Sequence, residues 1–256
     1  MLKHPKTTHD RIQQFIERDL RQCLVTDRLP LETEFCRGDF PNEKSARAEA
    51  TWKQIQPGFK WGPAYNRGWY KVSGSVPADW QDKEIALAYG PAELKFEQPD
   101  MVEGTVWMGG APVGGLDFGH HLYRLNKNAG DGIDLLVQTY AHNTETRVHG
   151  TEPPRVKKPE EFHGFVLIAV DMDLWPLYFD CEYALNLVDA LPETAPAHHV
   201  LLRALNDVCN TYDGNNPRTI ATCRRTLRDA MNSLPDEIKH TITPVGHAHL
   251  DTAWLW

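Results

Sequence analysis

The spacing of hydrophobic positions changes along the chain, and the first pattern is helical. Between residues 8 and 22, apolar side chains recur at intervals of three and four, with Asp19 as a polar exception. The apolar positions are Ile12, Phe15, Ile16 and Leu20. Thr8 or Asp10 stands where a helix N-cap is expected. A polar stretch from about 23 to 50 has little periodicity, so residues 1–50 are predicted to form an N-terminal helix and an extended segment.

Residues 51–175 carry a different pattern, in which short runs rich in Trp, Tyr, Val and Phe alternate with Gly and Pro. The runs lie at 68–74, 85–89, 104–108, 133–140 and 162–171. Short apolar segments at this spacing, separated by turn residues, are typical of an antiparallel β-sandwich. The segment 108–115, which contains four glycines, is expected to make a hairpin turn between two of these strands.

After Pro176 the period returns to that of a helix. Apolar stripes predict three helices, on residues 178–188, 200–209 and 220–231, and the third is expected to begin with Asn216 as N-cap and Pro217 at the first helical position. We assign 176–239 as a helical linker. The apolar run Ile242–Val245 then predicts a short buried strand, the first element of another domain that spans 240–256.

Composition is that of a soluble globular protein. Hydrophobic residues make up 41% of the chain and charged residues 24%, and no apolar run approaches the roughly 20 residues of a membrane span. The net charge of −8 argues against a nucleic-acid surface, for which clustered basic residues are expected. The N-terminus lacks the apolar segment of a signal peptide. Five widely spaced cysteines suit reduced thiols in the cytoplasm better than a disulfide framework.

The strongest chemical signal follows the predicted strand at 242–245. His247, His249 and Asp251 have an H-x-H-x-D spacing, and on an extended strand side chains two residues apart share a face. Imidazole nitrogen and carboxylate oxygen are ligands that suit Zn²⁺. A catalytic zinc takes three protein ligands and keeps one position open, so this segment supplies only part of a metal site.

The segment Gly246–Trp256, with the sequence GHAHLDTAWLW, resembles the opening of the catalytic domain in glycoside hydrolase family 38 α-mannosidases, closest to their cytosolic and vacuolar branch. Leu250 replaces the usual Ile, which is a mild change. Looser similarity extends to TTHDRI at 7–12, to WGP at 61–63 and WYKV at 69–72, and to the GTVW and GAPVGGL segments at 104–107 and 110–116. The resemblance therefore covers the whole chain, most specifically at 244–256.

The resemblance implies a retaining, zinc-dependent exo-glycosidase that removes terminal α-D-mannose from oligosaccharides. It implies that His249 and Asp251 bind the metal, that Asp251 and Trp254 contact the substrate, and that His247 is a neighbour supporting the metal ligands. The carboxylate nucleophile and the acid/base of retaining hydrolysis are expected beyond Trp256, so no catalytic residue is assigned in this chain and the fragment alone is expected to be inactive. The implied fold is α+β: an N-terminal helix, a β-sandwich accessory domain, a helical linker and the first strand of a (β/α) barrel-like catalytic domain.

The expected cofactor is one Zn²⁺ per complete catalytic domain, with Co²⁺ as another divalent candidate. The expected partner is a mannose-containing oligosaccharide; no nucleic acid or membrane partner is expected, and a homo-oligomer stays open. We expect a cytoplasmic location, with vacuolar delivery if the source is fungal.

Two alternatives compete with this hypothesis. One is another zinc hydrolase with H-x-H at a strand end, of the metallo-β-lactamase or amidohydrolase kind. The lactamase type requires a His after the Asp, where this chain has Thr252, and the amidohydrolase type has neither the Trp-Leu-Trp sequence nor a preceding sandwich. The other is a carbohydrate-binding module on residues 51–175, with Trp52, Trp61 and Trp80 as a platform. Packing of these tryptophans in the core is the more common use.

Overall fold

The computed structural model describes residues 4–62, 66–90, 103–117, 120, 122–141 and 159–234. The helices are α1 (Pro5–Phe15), α2 (Glu43–Glu49), α3 (Leu174–Ala190), α4 (Pro196–Thr211) and α5 (Arg218–Asn232). The strands are β1 (Val25–Pro30), β2 (Glu32–Arg37), β3 (Lys53–Ile55), β4 (Lys60–Trp61), β5 (Arg67–Ser75), β6 (Glu84–Tyr89), β7 (Gly104–Met108), β8 (Ala111–Leu116), β9 (Leu122–Leu125), β10 (Gly132–Tyr140), β11 (Glu160–Glu161) and β12 (Phe165–Val170). In this part of the chain, no helix is long and apolar enough to cross a lipid bilayer.

Two antiparallel sheets face each other and form the expected sandwich. One has the order β1-β12-β6-β9 and the other β3-β2-β5-β10-β7-β8, while β4 and β11 form a short separate pair. Alternate side chains from both sheets meet in one aromatic-rich core, in which Tyr70 stacks on Phe162 with ring centroids 5.0 Å apart. Each large apolar side chain fully removed from water there contributes about 1.5–3 kcal/mol to folding.

The hairpin expected at 108–115 is confirmed. Met108 pairs with Ala111, and the turn between them consists of Gly109 and Gly110. Their φ angles are +64° and +89°, in the left-handed region that favours glycine. Two consecutive residues with positive φ match the tight turn that joins twisted antiparallel strands.

The segment predicted to be extended, 23–50, contains two strands of the sandwich and the helix α2. β1 pairs with β12 in the four-stranded sheet, and β2 pairs with β5 in the six-stranded sheet. The chain passes from one sheet to the other at Leu31, whose N–H donates to the carbonyl of Phe165 at 2.9 Å. The sandwich therefore begins at residue 25, not at 51, because residues 25–37 supply a strand to each of its sheets.

The first helix also differs from its predicted limits. It begins at Pro5 with His4 at the N-cap, so neither Thr8 nor Asp10 caps it, and the Thr8 hydroxyl instead donates to the His4 carbonyl at 2.9 Å. A π-helical turn at Ile16–Leu20 and a 3₁₀ turn at Arg21–Cys23 continue it to β1. The third helix of the predicted linker begins at Arg218 with Pro217 at the N-cap, so the prediction of Asn216 as N-cap and Pro217 as first helical residue is wrong by one position. Asn216 Oδ1 accepts from the Arg218 N–H at 3.3 Å in the turn before the helix.

The helices of the predicted linker pack with the N-terminal helix into one bundle. α4 contacts α1, α3 and α5, and the bundle has its own apolar core. Arg11 on α1 reaches across to Asn206 and Asn210 on α4, with nitrogen–oxygen distances of 3.0 and 2.9 Å. The segment 176–239 is thus more than a linker, since its helices bury a core together with residues that precede the sandwich.

Candidate functional site

The residues predicted to bind metal and substrate follow directly on the helical bundle. His247, His249, Asp251 and Trp254 all lie outside the described residues, so their roles stay predictions. Leu234, the last described residue, packs against the bundle core. The bundle therefore fixes the position of Leu234, after which the chain continues towards the H-x-H-x-D segment.

One ion pair fixes α5 on the bundle. Arg224 Nε on α5 donates to Asp180 Oδ2 on α3 at 2.7 Å. Asp171 is also engaged, since its Oδ1 accepts from the N–H groups of Asp173 and Leu174, each at 2.9 Å, at the start of α3. These two carboxylates hold helices in place and do not form an acidic cation site.

No second metal site emerges from the described part of the chain. Within it, no group of three or more His, Cys, Asp or Glu side chains is placed to hold a metal ion. The adjacent histidines of α4 illustrate why: the rings of His198 and His199 are nearly perpendicular, at 87°, with centroids 5.3 Å apart. His198 is buried. Because neighbouring positions of a helix point in different directions, the two imidazoles do not converge on one metal ion.

Buried polar groups cluster at one end of the sandwich core. Trp61 Nε1 donates to the Tyr70 hydroxyl at 2.9 Å, and the His163 N–H donates to the Tyr89 hydroxyl at 3.3 Å. Burial raises the pKa of Tyr70 well above its usual value, and the same cause raises the pKa of Tyr89. Both phenols are therefore neutral hydrogen-bonding groups at physiological pH, and neither is poised to act as a general base.

The cavity beside these tyrosines is too small for a sugar. It is lined by Tyr70, Tyr89, Leu116, Val137 and Phe165 among others, and has room for about one water molecule. It is a packing defect of the core, since a monosaccharide pocket requires many times that space.

The outer face of the six-stranded sheet uses its aromatic side chains for packing. Trp69 is fully buried beneath α2, with its ring centroid 6.0 Å from that of Trp107. Trp107 Nε1 donates to Gln138 Oε1 at 3.3 Å. Of the tryptophans considered as a glycan platform, Trp61 and Trp80 are buried, while Trp52 is half-buried against the Trp69 cluster.

A buried carboxylate on α2 was not predicted from the sequence. Glu43 accepts from the Gly110 backbone N–H at 2.6 Å and from Arg47 Nε at 2.8 Å, and Arg47 also donates to Asp134 at 2.9 Å. This network ties α2 to the hairpin turn and to β10. Asn42 caps α2 by accepting from the Ser45 N–H at 3.0 Å, so the sequence signals the start of the helix but not the burial of Glu43.

Two facing antiparallel sheets with crossover connections place the central part of the chain in the jelly-roll class of β-sandwich. Residues 30–171 match the family model described as the alpha-mannosidase jelly roll domain of the Ams1-like type. The chain belongs to this family. The match begins at the last residue of β1 and ends just after β12, so it covers the sandwich from β2 onward and not the helical bundle.

Similarity to curated proteins extends over the whole chain. Alpha-mannosidase 2C1 of Mus musculus is 25% identical over 271 residues, covering 100% of this chain and 25% of that protein. Alpha-mannosidase G of Dictyostelium discoideum is 22% identical over 278 residues, covering 100% of this chain and 24% of its own length. The chain thus spans about a quarter of the length of the relatives it matches.

Among solved structures, the beta-glucuronidase of Ruminococcus gnavus aligns with 57% of this chain and 29% of its own, at 14% identity and a TM-score of 0.36. A TM-score this low does not establish a common fold. The membership in an α-mannosidase family expected from residues 244–256 is confirmed by the independent match at 30–171.

Proposed function

We propose that the chain is the first part of a zinc-dependent α-mannosidase, a retaining exo-glycosidase that removes terminal α-D-mannose from oligosaccharides. The observation that supports it most is the similarity to α-mannosidases over the full length of the chain, which includes the H-x-H-x-D segment. The family match at 30–171 supports the class independently of that segment.

In this proposal His249 and Asp251 supply two ligands of a single zinc ion. The donor set fits, since a neutral imidazole nitrogen and a charged carboxylate oxygen are usual zinc ligands, and the remaining ligands come from further along the polypeptide. When bound, the metal supplies Lewis-acid contacts to hydroxyl groups of the mannose. His247 orients its neighbours by hydrogen bonding, and Trp254 offers an aromatic face to the C–H surface of the sugar.

The substrate class follows from the same similarity. A mannose-containing oligosaccharide in the cytoplasm is the proposed substrate. Retaining hydrolysis needs two carboxylates flanking the bond, a nucleophile and an acid/base, and both are proposed to lie further along the polypeptide, as the resemblance to the family implies.

The test is Asp251→Asn in the full-length enzyme. Losing an outer hydrogen-bond partner of a metal ligand typically costs 10–100-fold, so we expect loss of a ligand charge to lower kcat by at least about 100-fold and to reduce bound zinc. Hydrolysis of an aryl α-mannoside and metal content measured by mass spectrometry are the two readouts.

The matched control is Asp79→Asn, the same chemical change at an exposed turn position. Asp180 is unsuitable as a control because its carboxylate holds Arg224. Asp79→Asn should leave kcat and zinc content unchanged. If Asp251→Asn retains the activity and the metal of the unmodified enzyme, the zinc assignment is wrong.

A further inference from the structure

Helix α5 is positively charged, although the chain as a whole is acidic. Its 15 residues contain four arginines and one aspartate, which gives a net charge of +3, whereas the net charge of the chain is −8. The arginines are Arg218, Arg224, Arg225 and Arg228, and the helix contains no lysine. Arg224 binds Asp180 on α3, so three guanidinium groups remain to be explained.

The three remaining arginines lie on the side of α5 that faces solvent. With 3.6 residues per turn, Arg225 and Arg228 lie within about 80° of Arg218 around the helix axis, opposite the buried Cys223 and Leu227. All three are exposed, and within the described part of the chain none of them makes an ion pair. They form a strip about 15 Å long, which we call the α5 arginine face.

This arrangement of charge is unfavourable for the helix itself. Arg225 and Arg228 are three residues apart, so their like charges repel each other across one turn. Arg218 is the first residue of the helix, where the positive end of the helix dipole disfavours a cation. Asp229 stands four residues after Arg225 but makes no ion pair with it. The stability of the fold therefore does not explain why these positions carry arginine.

The chemistry of the α5 arginine face fits carboxylates. A guanidinium group presents paired donors that match the two oxygens of a carboxylate, which the ammonium of lysine does not. Arg47, Arg67 and Arg124, which lie on α2 and in the sandwich, each bind a carboxylate of this chain in that role. Met231 is 44% exposed and follows Arg228 by three residues, so it lies beside it on the helix surface. Arginine and methionine are enriched in protein–protein interfaces, whereas lysine is depleted.

The small extent of the α5 arginine face limits the kind of anion that it can bind. A nucleic acid or an anionic bilayer extends far beyond 15 Å and would also meet the rest of a chain whose net charge is negative. At physiological salt, charges are screened over roughly 8 Å, so a short segment at this face interacts mainly with the arginines. An extended peptide covers the strip with about four or five residues. A short acidic peptide is therefore the anion that fits best.

We propose that the α5 arginine face is a docking site for a short acidic segment of another protein. Asp or Glu carboxylates of the partner pair with the guanidinium groups of Arg218, Arg225 and Arg228, and Met231 contacts the partner at the end of the strip. The proposal goes beyond the mannosidase assignment and does not depend on zinc or on turnover.

The test measures binding of a fluorescein-labelled octaglutamate peptide to the whole 256-residue chain by fluorescence anisotropy at low ionic strength. The double substitution Arg225→Gln with Arg228→Gln removes two positive charges from the face and keeps residues that favour a helix. Because two exposed ion pairs are lost, we expect the Kd of the peptide to rise by about fivefold or more.

The matched control is the double substitution Arg18→Gln with Arg203→Gln, which changes the net charge by the same amount. Both arginines are exposed and make no ion pair within the described residues. Arg18 follows α1, and Arg203 precedes Asn206, which binds Arg11 of α1, by one turn of α4. These two arginines therefore lie on the α1 side of the bundle, and their loss should leave the Kd within about twofold of its original value.

Three outcomes would overturn the proposal. Equal weakening in the two double variants would mean that the peptide responds to net charge and not to this face. Absence of binding to the unmodified chain at millimolar peptide would remove the site. Tighter binding of octauridylate, or of phosphatidylserine vesicles, than of octaglutamate would make the face a nucleic-acid or a membrane site.

Two further measurements locate the site and check the fold. Met172 and Met231 are similarly exposed, at 41% and 44%, so bound octaglutamate should slow the oxidation of Met231 by peroxide and leave that of Met172 unchanged. Equal protection of both would contradict docking on α5. The urea midpoint of the Arg225→Gln, Arg228→Gln variant should equal or exceed that of the unmodified chain, and a lower midpoint would show that these arginines support the fold instead. Asp251→Asn separately tests the enzymatic function.

Discussion

At the scale of single residues, Gly114 shows how closely the sandwich is packed at one edge. An added Cβ at this position would lie 2.2 Å from Tyr123 Cε2, well inside van der Waals contact. The Tyr123 ring cannot easily move, because its hydroxyl donates to the Val113 carbonyl at 3.1 Å. Gly114 is thus required by a close approach between β8 and β9 and not by its backbone conformation.

We therefore expect Gly114→Ala to lower the free energy of unfolding by about 1–3 kcal/mol, the usual cost of overpacking. The neighbouring Gly115→Ala is the matched control, since the nearest atom to its added Cβ is 3.6 Å away, at ordinary contact distance. Urea unfolding followed by circular dichroism measures both. Equal stability of the two variants would show that Tyr123 moves aside freely.

The structural role of some residues could be predicted from the sequence, and that of others could not. Gly109 and Gly110 could be predicted as a turn because two adjacent glycines between apolar runs leave few conformations. Glu43 could not be predicted, because its partners Gly110 and Asp134 are distant in sequence and the carboxylate alone suggests an exposed site.

At the scale of elements, the strands with unbroken apolar runs were predictable and the mixed ones were not. β12 is apolar throughout, and β5 and β10 each contain a buried apolar run, at 68–70 and 135–137, because these strands lie within their sheets and bury side chains on both faces. β1 and β2 contain few apolar residues among charged and polar ones, and the buried position Thr33 is polar, so no continuous signal remains. Pro30 further divides the segment at the point where the chain changes sheet.

Cysteine thiols lie between the helices of the bundle, and they make the stability of the bundle depend on pH. Burial raises the pKa of Cys181 and Cys223, and raises that of Cys209 to about 11. The folded state therefore keeps these thiols protonated, whereas the unfolded chain loses their protons near pH 8.5. Their contribution to stability is complete below about pH 8.5 and is lost as the pH rises towards 11.

We expect the urea midpoint of the bundle to decrease between pH 7.5 and pH 10.5 under reducing conditions. Cys209→Ala removes one of the titrating groups, so its midpoint should decrease less over the same range. A variant whose pH dependence matches that of the unmodified chain would show that Cys209 ionises equally in the folded and unfolded states.

At the scale of the whole molecule, the sandwich, the helices after it and their order along the chain could be predicted, but the packing of these helices with α1 into one bundle could not. The apolar stripe in the sequence of α1 predicts which face of the helix is buried, but not the element against which that face packs. That partner is α4, almost 200 residues later in the chain, and contacts of that separation leave no local trace in the sequence. The proposed metal site follows from the motif at 247–251 alone.

The 256-residue chain is expected to have no glycosidase activity. Two ligands on one strand make an open site with an affinity for zinc on the order of micromolar or weaker, and the proposed nucleophile and acid lie outside the chain. Assay of an aryl α-mannoside with added zinc, against a metal-free blank and the full-length enzyme, measures this. Turnover above the blank would place a complete active site within these residues.

The pairing of β1 with β12 has a consequence for how the protein is made. These adjacent strands bring residues 24 and 171 together, where the Asp171 N–H donates to the Leu24 carbonyl at 2.9 Å. In the sequence, the whole sandwich is therefore inserted between the first helix of the bundle and the other three. During translation α1 leaves the ribosome first, yet its partner α4 is synthesised after the entire sandwich. At about 5–20 residues per second, that wait lasts on the order of 10–40 seconds. The apolar stripe of α1 is without its partner for that time, so we expect the sandwich to fold first and the bundle to form last.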